Sequence, residues 1–176
     1  MSIEIPFFSI LIPSYNRPDE LSRCIGSIIV GPFEDYEIII SDDNSPRKSE
    51  IEAVVQSFGS GGKIRFYQQA SNLKEPDNKN FLVNKARGQF NIILGDDDTL
   101  AKEALSYLYN YIDVEPRSDI YGFGYRVVDE HGGHLSVNRS SRSVHLENHV
   151  SRLKLLEAGL LPMVIFHPAT FCCRAG

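Results

Sequence analysis

The chain has 176 residues, of which 42% are hydrophobic and 23% are charged, and its formal net charge at pH 7 is -5. This length and composition predict a single globular domain, residues 1–176, with a sizeable core. The negative charge and the scattered lysines and arginines argue against a nucleic-acid partner, because binding to phosphates needs a basic surface.

The first hundred residues alternate between short apolar runs and segments whose apolar residues recur at helical spacing. The apolar runs predict four strands, FFSILIP, YEIIIS, KIRFYQQ and FNIIL. A helix is predicted after each strand: within PDELSRCIGSIIV, from Ile51 to Phe58, within NKNFLVNKARG with Gly88 closing it, and from about Ala101 to Ile112. Four such steps predict an α/β fold with a Rossmann-like, mostly parallel sheet covered by helices on both faces.

After Pro116 the pattern becomes less regular. DIYGFGYRVVD is typical of one long alternating strand, and the Gly-rich turn EHGGH joins it to LSVN in a β-hairpin. A last helix is predicted in HVSRLKLLEAG, and a last strand within MVIFHPATFCCRAG.

The cysteines and the first residues bear on the compartment. Cys24, Cys172 and Cys173 are an odd set whose adjacent pair is poorly placed to bridge to itself, so we expect no disulfide framework. The opening residues lack the basic segment of a signal peptide, and no apolar run approaches the ~20 residues of a membrane span. These features predict a cytoplasmic protein that can rest on the inner face of a membrane.

Aspartates gather after two of the predicted strands. Asp42 and Asp43 end the second strand, and Asp96, Asp97 and Asp98 follow the fourth. Ligands of parallel sheets bind beyond the carboxyl ends of the strands, so these side chains should line one acidic pocket. A bare carboxylate cluster repels a phosphorylated ligand, whereas a divalent cation accepts oxygens from both sides. The alternative is an exposed turn whose carboxylates cap a helix, which the second aspartate cluster makes less favourable.

Three motifs carry a family resemblance. FSILIPSYNRPDELSRCIGSI, YEIIISDDNS and NKNFLVNKARGQFNIILGDDDTL resemble, in order and spacing, the nucleotide-sugar-binding half of the inverting family 2 glycosyltransferases, which have the GT-A fold. The resemblance is strong over about residues 1–100 and weaker over the hairpin and HPATFCCRAG. It implies transfer of a sugar from a UDP-sugar to a saccharide or lipid-linked acceptor, in bacterial cell-surface polysaccharide synthesis, and an acceptor half that begins at about residue 117.

The resemblance also implies roles for individual residues. The loop that wraps the nucleotide would contain Pro13, Ser14, Tyr15 and Asn16. Asp43 matches the aspartate that hydrogen-bonds the uracil ring, with Asp42 as the second choice. Lys79 and Asn80 fall where the family often has Arg-Asn near the nucleotide, although a lysine on a short helix is by default a solvated cation. The family's metal motif falls on the aspartate triplet, of which Asp97 and Asp98 are favoured for ribose and metal contacts, without a separate role for each.

The implied reaction requires a cation and a base. Mg²⁺ or Mn²⁺ would stabilise the charge that builds on the leaving diphosphate. In the family the general base follows the strand that ATFCCR resembles, so we expect it beyond Gly176 and expect this chain to be truncated. His167 is a weak candidate within the chain, because a packed or capping histidine is the more usual role.

Three other functions are compatible with parts of the sequence. DDDTL resembles the nucleophile loop of haloacid-dehalogenase-like phosphatases, but it lacks that loop's glycine and follows the fourth strand instead of the first. A nucleotidyltransferase would normally have a Gly-rich, basic loop where this chain has PSYNRP. The third alternative is a non-catalytic domain that only binds a nucleotide sugar.

Overall fold

The computed structural model describes most of the first 114 residues and separate short segments after them. The described residues are 5–59, 61–114, 116, 120–122, 124–128, 133–138, 142–144 and 171–174. Four helices lie in the described part of the chain: α1 (Pro18–Ile29), α2 (Lys48–Ser57), α3 (Glu75–Lys85) and α4 (Ala104–Val114). Its strands are β1 (Phe8–Ser14), β2 (Tyr36–Asp42), β3 (Ile64–Gln68), β4 (Phe90–Ile93), β5 (Ile120–Gly122), β6 (Tyr125–Val128), β7 (His134–Asn138), β8 (Arg142–Val144) and β9 (Phe171–Arg174).

The main sheet has the strand order β3-β2-β1-β4-β9-β5-β8. The first four strands in this order are parallel, and β9 runs antiparallel to both β4 and β5. Strands β6 and β7 form a separate antiparallel pair. The predicted α/β fold with a parallel sheet is therefore confirmed, and so is the hairpin in the second half.

Alternate residues of the parallel strands face opposite layers of helices, as the period of a strand requires. On one face, Ile10 of β1 and Ile38 of β2 belong to a buried cluster with apolar residues of α1, α2 and α4, among them Leu21, Ile51 and Leu108. On the other face, Leu11 and Ile39 pack with Leu82 of α3. The absence of polar alternation in FSILIPS and YEIIISD follows from this two-sided burial.

The structure corrects the prediction of one long strand in DIYGFGYRVVD. That segment contains two strands, because β5 belongs to the main sheet while β6 pairs with β7. The interruption includes Gly124, which lies between the two strands, and glycine commonly marks such bends. Strand β8, which pairs with β5, was not predicted.

Helix α3 begins and ends earlier than predicted. It starts at Glu75, with Pro76 in its first turn, and Ala86 caps it in an extended conformation. Gly88 is therefore not the residue that closes the helix. A Cβ on Gly88 would lie 2.6 Å from the backbone nitrogen of Ser9, so the glycine permits close contact between this segment and β1. Helix α4 likewise begins at Ala104 instead of about Ala101.

The predicted helix in HVSRLKLLEAG and the candidate base His167 lie outside the described residues. Within the described part of the chain, no helix has the length and apolar character needed to cross a membrane.

A buried carboxylate stabilises the end of the sheet where β2 begins. Glu37 accepts hydrogen bonds from Ser9 Oγ at 2.7 Å, from Arg65 Nη1 at 3.0 Å and from the backbone nitrogen of Arg87 at 2.8 Å. The Arg87 guanidinium adds two more, from Nε at 3.0 Å and Nη2 at 2.8 Å. Burial raises the pKa of the Glu37 carboxyl, but these hydrogen bonds outweigh it and hold the pKa below its ordinary value of 4.5.

We expect Glu37→Gln to lower the free energy of unfolding at pH 7 by about 2–3 kcal/mol, because it removes charge-assisted hydrogen bonds from two arginines. The pKa of Glu37 is lowered by folding, so its contribution is complete above the unfolded pKa and is lost as the pH falls through the folded value. The free energies of unfolding of the native protein and Glu37→Gln would be measured with urea at pH 7 and at more acidic pH. The difference between them should narrow below about pH 4.5. The control is Glu34→Gln: Glu34 is 78% exposed in its pair with Lys63, and its loss should change stability by less than about 1 kcal/mol.

Candidate functional site

A pocket of about 570 Å³ opens where β1, β2 and β4 end, which we call the carboxyl-edge pocket. Three segments supply most of its walls: the loop after β1, the segment from residue 72 to α3, and the loop after β4. The lining residues are Pro13, Ser14, Tyr15, Arg17, Asp43, Asn72, Lys74, Glu75, Asn78, Lys79, Ile93, Gly95, Asp96, Asp97 and Asp98. The parallel register of the strands thus brings Asp43 of the first predicted aspartate cluster and all three aspartates of the second to one pocket.

Asp96 connects the loop after β4 to the loop after β1. Its Oδ2 accepts a hydrogen bond from the backbone nitrogen of Tyr15 at 3.3 Å, and its Oδ1 lies 3.1 Å from Arg17 Nη1. The side chain of Asp96 is only 7% exposed. Burial raises the pKa of this carboxyl, against the lowering effects of the Ser14 hydroxyl and the Arg17 guanidinium. Asp96 is therefore the buried anchor of the triplet.

Asp97 and Asp98 lie closer to solvent. The side chain of Asp97 is 55% exposed, and its Oδ2 lies 2.7 Å from Arg17 Nη1. Asp98 is half-buried, and its backbone nitrogen donates to the Gly95 carbonyl at 3.1 Å. A Cβ on Gly95 would lie 2.9 Å from Asp97 Oδ1 and 3.0 Å from Asp98 Oδ2. The glycine thus leaves room for both carboxylates to fold back over the backbone.

Asp43 lines the pocket and also holds the segment that leads into α3. Its Oδ1 accepts a hydrogen bond from the backbone nitrogen of Leu73 at 2.6 Å, and its Oδ2 accepts one from Lys74 at 3.0 Å. Each oxygen of an ionised carboxylate can accept two hydrogen bonds, so Asp43 retains acceptor capacity toward the pocket.

Asp42 has a different environment from its neighbour and is not among the pocket-lining residues. It is fully buried and accepts hydrogen bonds from the backbone nitrogen and the hydroxyl of Ser45. The same hydroxyl accepts a hydrogen bond from the backbone nitrogen of Asn16 at 2.7 Å. Asp42 and Ser45 therefore support the loop after β1, in which Asn16 has a φ of 61° and is exposed.

The structure separates Lys79 from Asn80. Lys79 lines the pocket and forms an ion pair with Glu75 one turn earlier on α3. Asn80 is exposed and is not among the lining residues. The amide of α3 that lines the pocket is instead Asn78, which is 2% exposed and exchanges hydrogen bonds with Ser41 at 2.6 and 3.1 Å.

Lys74 has a backbone conformation that is nearly restricted to glycine. Its φ is 72° and its ψ is 161°, a region that costs other residues of order 1–3 kcal/mol. Its backbone nitrogen donates both to Asp43 Oδ2 and, at 3.1 Å, to Asn72 Oδ1. These two acceptors hold Lys74 in a strained position beside the pocket.

We expect the free energy of unfolding to be about 1 kcal/mol higher for Lys74→Gly than for Lys74→Ala. Both changes remove the ammonium group, but only glycine relieves the backbone strain. Urea unfolding of the two variants provides the measurement. Ala53→Gly, at an exposed position of α2, is the reference, since glycine in a helix without backbone strain should lower the free energy of unfolding by about 1 kcal/mol. Equal stability of the two Lys74 variants would show that the backbone is not strained.

The carboxylates of the pocket decide whether it can hold a divalent cation. In the segments that the structure describes, no group of three or more His, Cys, Asp or Glu residues could hold a metal ion. Mg²⁺ is, however, commonly bound through one or two carboxylates plus substrate phosphates, and Asp97 and Asp98 both face the pocket. These residues fit a cation that is shared with a diphosphate.

Several pocket residues were missed in the sequence: Arg17, Asn72, Lys74, Glu75 and Asn78. Arg17 could have been predicted from the sequence, because it is the one cation of PSYNRP, a loop expected to face five carboxylates. The inward orientation of Asn78 depends on the packing of α3 against β2 and has no local sequence signal.

Comparisons with known proteins agree with this architecture. The model of the family described as glycosyl transferase family 2 matches residues 9–174. A Campylobacter jejuni protein, GalNAc(5)-diNAcBac-PP-undecaprenol β-1,3-glucosyltransferase, is 31% identical over 156 residues, which make up 88% of this chain and 48% of that protein. Poly(ribitol-phosphate) β-N-acetylglucosaminyltransferase TarP of Staphylococcus aureus is 34% identical over 108 residues, 58% of this chain and 32% of that protein.

Among solved structures, S. aureus TarS residues 1–349 in complex with UDP-GlcNAc superimposes with a TM-score of 0.59 at 25% identity. The superposition covers 64% of this chain and 32% of that one. The chain thus spans about half or less of the length of each of these relatives.

Proposed function

The chain belongs to glycosyl transferase family 2 and has a GT-A fold, and from this premise we propose that its carboxyl-edge pocket binds the donor of a sugar-transfer reaction. The donor is a nucleotide sugar, with UDP as the nucleotide. The sugar passes, with inversion, to a hydroxyl group of a saccharide or lipid-linked acceptor. Residues 1–100 provide the donor half, and the segment from about residue 117 begins the acceptor half.

One observation carries this proposal: Asp43 and the triplet Asp96, Asp97 and Asp98 lie in the same pocket, at the ends of strands that are neighbours of β1. The pocket has a size typical of small-ligand sites. It offers a carboxylate acceptor on one side and a carboxylate cluster on the other. A nucleoside diphosphate has matching groups, a ring N–H at one end and phosphate oxygens at the other.

Asp43 is assigned to the uracil base. Its carboxylate is held by the Leu73 and Lys74 backbone nitrogens, which fix its orientation, and its remaining lone pairs can accept the uracil N3–H. Tyr15 is 47% exposed at the same rim, where its ring can lie against the base. The pocket-lining residues Pro13 and Ser14 would complete the wall on this side.

The other end of the pocket is assigned to the diphosphate. Asp97 and Asp98 would hold Mn²⁺ or Mg²⁺, and the bound cation would stabilise the charge on the leaving diphosphate as a Lewis acid. Asp96 positions the loop after β1 through the Tyr15 backbone. Lys74 and Lys79 also line the pocket and add positive charge to it.

The relatives support the acceptor class. The C. jejuni enzyme is named for an undecaprenol-linked glycan and TarP for poly(ribitol phosphate), which is why we favour a bacterial cell-surface polymer or its lipid-linked precursor. None of the described residues is assigned as the general base. If the acceptor is a lipid-linked precursor, sugar transfer to it would take place at the inner face of a membrane.

A binding panel with a turnover assay tests the proposal. Thermal shift would be measured with UDP, CDP, GDP, ADP and UDP-sugars, each with Mn²⁺ or EDTA, and UDP release would be followed with a panel of saccharide acceptors. We expect the largest stabilisation from UDP or a UDP-sugar with Mn²⁺. Binding without release would favour the non-catalytic alternative, and phosphate release from a phosphate monoester would favour the phosphatase.

A further inference from the structure

Arg17 contacts Asp97, one of the two carboxylates that are assigned to the cation of the proposed site, and also the neighbouring Asp96. One nitrogen of its guanidinium, Nη1, is 3.1 Å from Asp96 Oδ1 and 2.7 Å from Asp97 Oδ2. Arg17 comes from the loop after β1, some 80 positions away in sequence, so the contact depends on the folded sheet.

The same contacts leave Arg17 able to move. Its side chain is 50% exposed, and α1 begins at the next residue with Pro18, so the guanidinium extends from a helix end instead of from a packed face. Asp97 is also more than half exposed, and solvent-exposed ion pairs are individually weak. A divalent cation can replace the guanidinium beside the carboxylate, and a diphosphate can replace the carboxylate beside the guanidinium.

We propose that Arg17 is an internal counter-ion that exchanges partners when the donor binds. Without donor, the guanidinium neutralises Asp96 and Asp97 and competes with free metal ions for them. With donor, Arg17 releases Asp97 to the cation and pairs with a phosphate oxygen of the nucleoside diphosphate. This inference rests on the proposed function, because it assigns the donor's diphosphate as the second partner of Arg17.

The exchange has a thermodynamic consequence. A cation that binds alone must displace Arg17 from Asp97, and it brings no phosphate with which the guanidinium could pair. A cation that arrives with a diphosphate gives Arg17 an acceptor of suitable geometry, since guanidinium groups bind phosphate oxygens well. Metal and nucleotide should therefore strengthen each other's binding, and Arg17 should be a source of that coupling.

Arg17→Met, which keeps most of the side-chain volume and removes the charge, tests the idea. Mn²⁺ binding without nucleotide would be measured from the electron paramagnetic resonance signal of the free ion. We expect the variant to bind Mn²⁺ about tenfold more tightly than the native protein, equivalent to about 1.4 kcal/mol. UDP binding at saturating Mn²⁺, measured by titration calorimetry, should weaken in the same variant by a similar factor.

Two further variants serve as controls. Arg17→Lys keeps a positive charge and should leave the affinity for Mn²⁺ alone close to the native value. Arg47 also precedes a helix, α2, and pairs with Glu50 outside the carboxyl-edge pocket, so Arg47→Met should change neither affinity. Circular dichroism would confirm that all variants are folded.

The outcomes separate this inference from the proposed function. Equal Mn²⁺ affinities of native protein and Arg17→Met would overturn the counter-ion role even if UDP binds as proposed. Tighter Mn²⁺ binding by the variant with unchanged UDP affinity would overturn the exchange of partners. Failure of the native protein to bind UDP with Mn²⁺ would instead overturn the donor assignment, while the Mn²⁺-only comparison would still decide whether Arg17 shields the carboxylates.

Discussion

Asp98→Asn should weaken Mn²⁺-dependent UDP binding by about 10–100-fold and bring the affinity close to that measured in EDTA. The change keeps the size of the side chain and removes its charge, so a cation shared with the diphosphate loses a ligand. Asp98 is half-buried and lines the pocket, and we therefore expect a larger loss than from Asp97→Asn, whose side chain is 55% exposed. If the protein turns over a UDP-sugar, kcat/KM should fall by about 10²–10³-fold.

Titration calorimetry with and without EDTA provides the measurement, and Asp113→Asn, at an exposed position of α4 outside the pocket, is the matched control. Gly95→Ala gives an independent check, because it keeps all three carboxylates but places a methyl group about 3 Å from Asp97 Oδ1 and Asp98 Oδ2. It should reduce the metal-dependent part of the affinity. UDP affinity that is indifferent to EDTA and to both aspartate substitutions would contradict the metal role of the triplet.

The second large effect concerns the choice of base. The native protein should prefer UDP to CDP by about 10–100-fold, because an ionised Asp43 accepts the uracil N3–H but faces an acceptor nitrogen in cytosine. In Asp43→Asn we expect UDP to lose most of this advantage, since the new amide can donate to cytosine N3. The ratio of the two affinities is the informative quantity. Asp43 also holds Leu73 and Lys74, and a disturbed loop would weaken both nucleotides together.

Asp42→Asn distinguishes the two neighbouring aspartates. Asp42 is buried against Ser45 and does not line the pocket, so its substitution should lower stability and leave the UDP to CDP ratio unchanged. A ratio that changes in Asp42→Asn but not in Asp43→Asn would reverse the assignment. Calorimetric titrations of both nucleotides at one Mn²⁺ concentration suffice for the comparison.

The sequence predicted the parallel half of the fold because its signals are local. Continuous apolar runs such as YEIIISD and the helical spacing of Leu21, Ile25 and Ile28 each reflect burial that the structure confirms. The separation of β5 from β6 could not be predicted in this way, because it depends on which partner strand each segment finds. Helix α3 was misplaced for a similar reason: its first turn follows Lys74, whose conformation is set by Asp43, 31 residues earlier.

The candidate site was predictable in composition but not in arrangement. Carboxylates after two buried strands were enough to place Asp43 and the triplet at one edge. The sequence could not show that Asp42 faces Ser45, or that Arg17 bridges Asp96 and Asp97, because these orientations arise from side chains packed across neighbouring loops. The strain at Lys74 was likewise invisible, since nothing local distinguishes this lysine from an ordinary loop residue.

The position of β9 has a consequence for the order in which the chain can fold during synthesis. The strands β1 to β4 are complete once residue 93 has been made, and they can pair as the nascent chain leaves the ribosome. The edge of β4 that faces away from β1, however, pairs with β9, which is translated about 80 residues later. Strand β9 also lies between β4 and β5 in the sheet. Until that strand arrives, β4 presents unpaired backbone groups, an edge that invites pairing with another nascent chain. The antiparallel side of the sheet is thus the last part to assemble, and slow translation before residue 171 would prolong the period in which misassembly competes with folding.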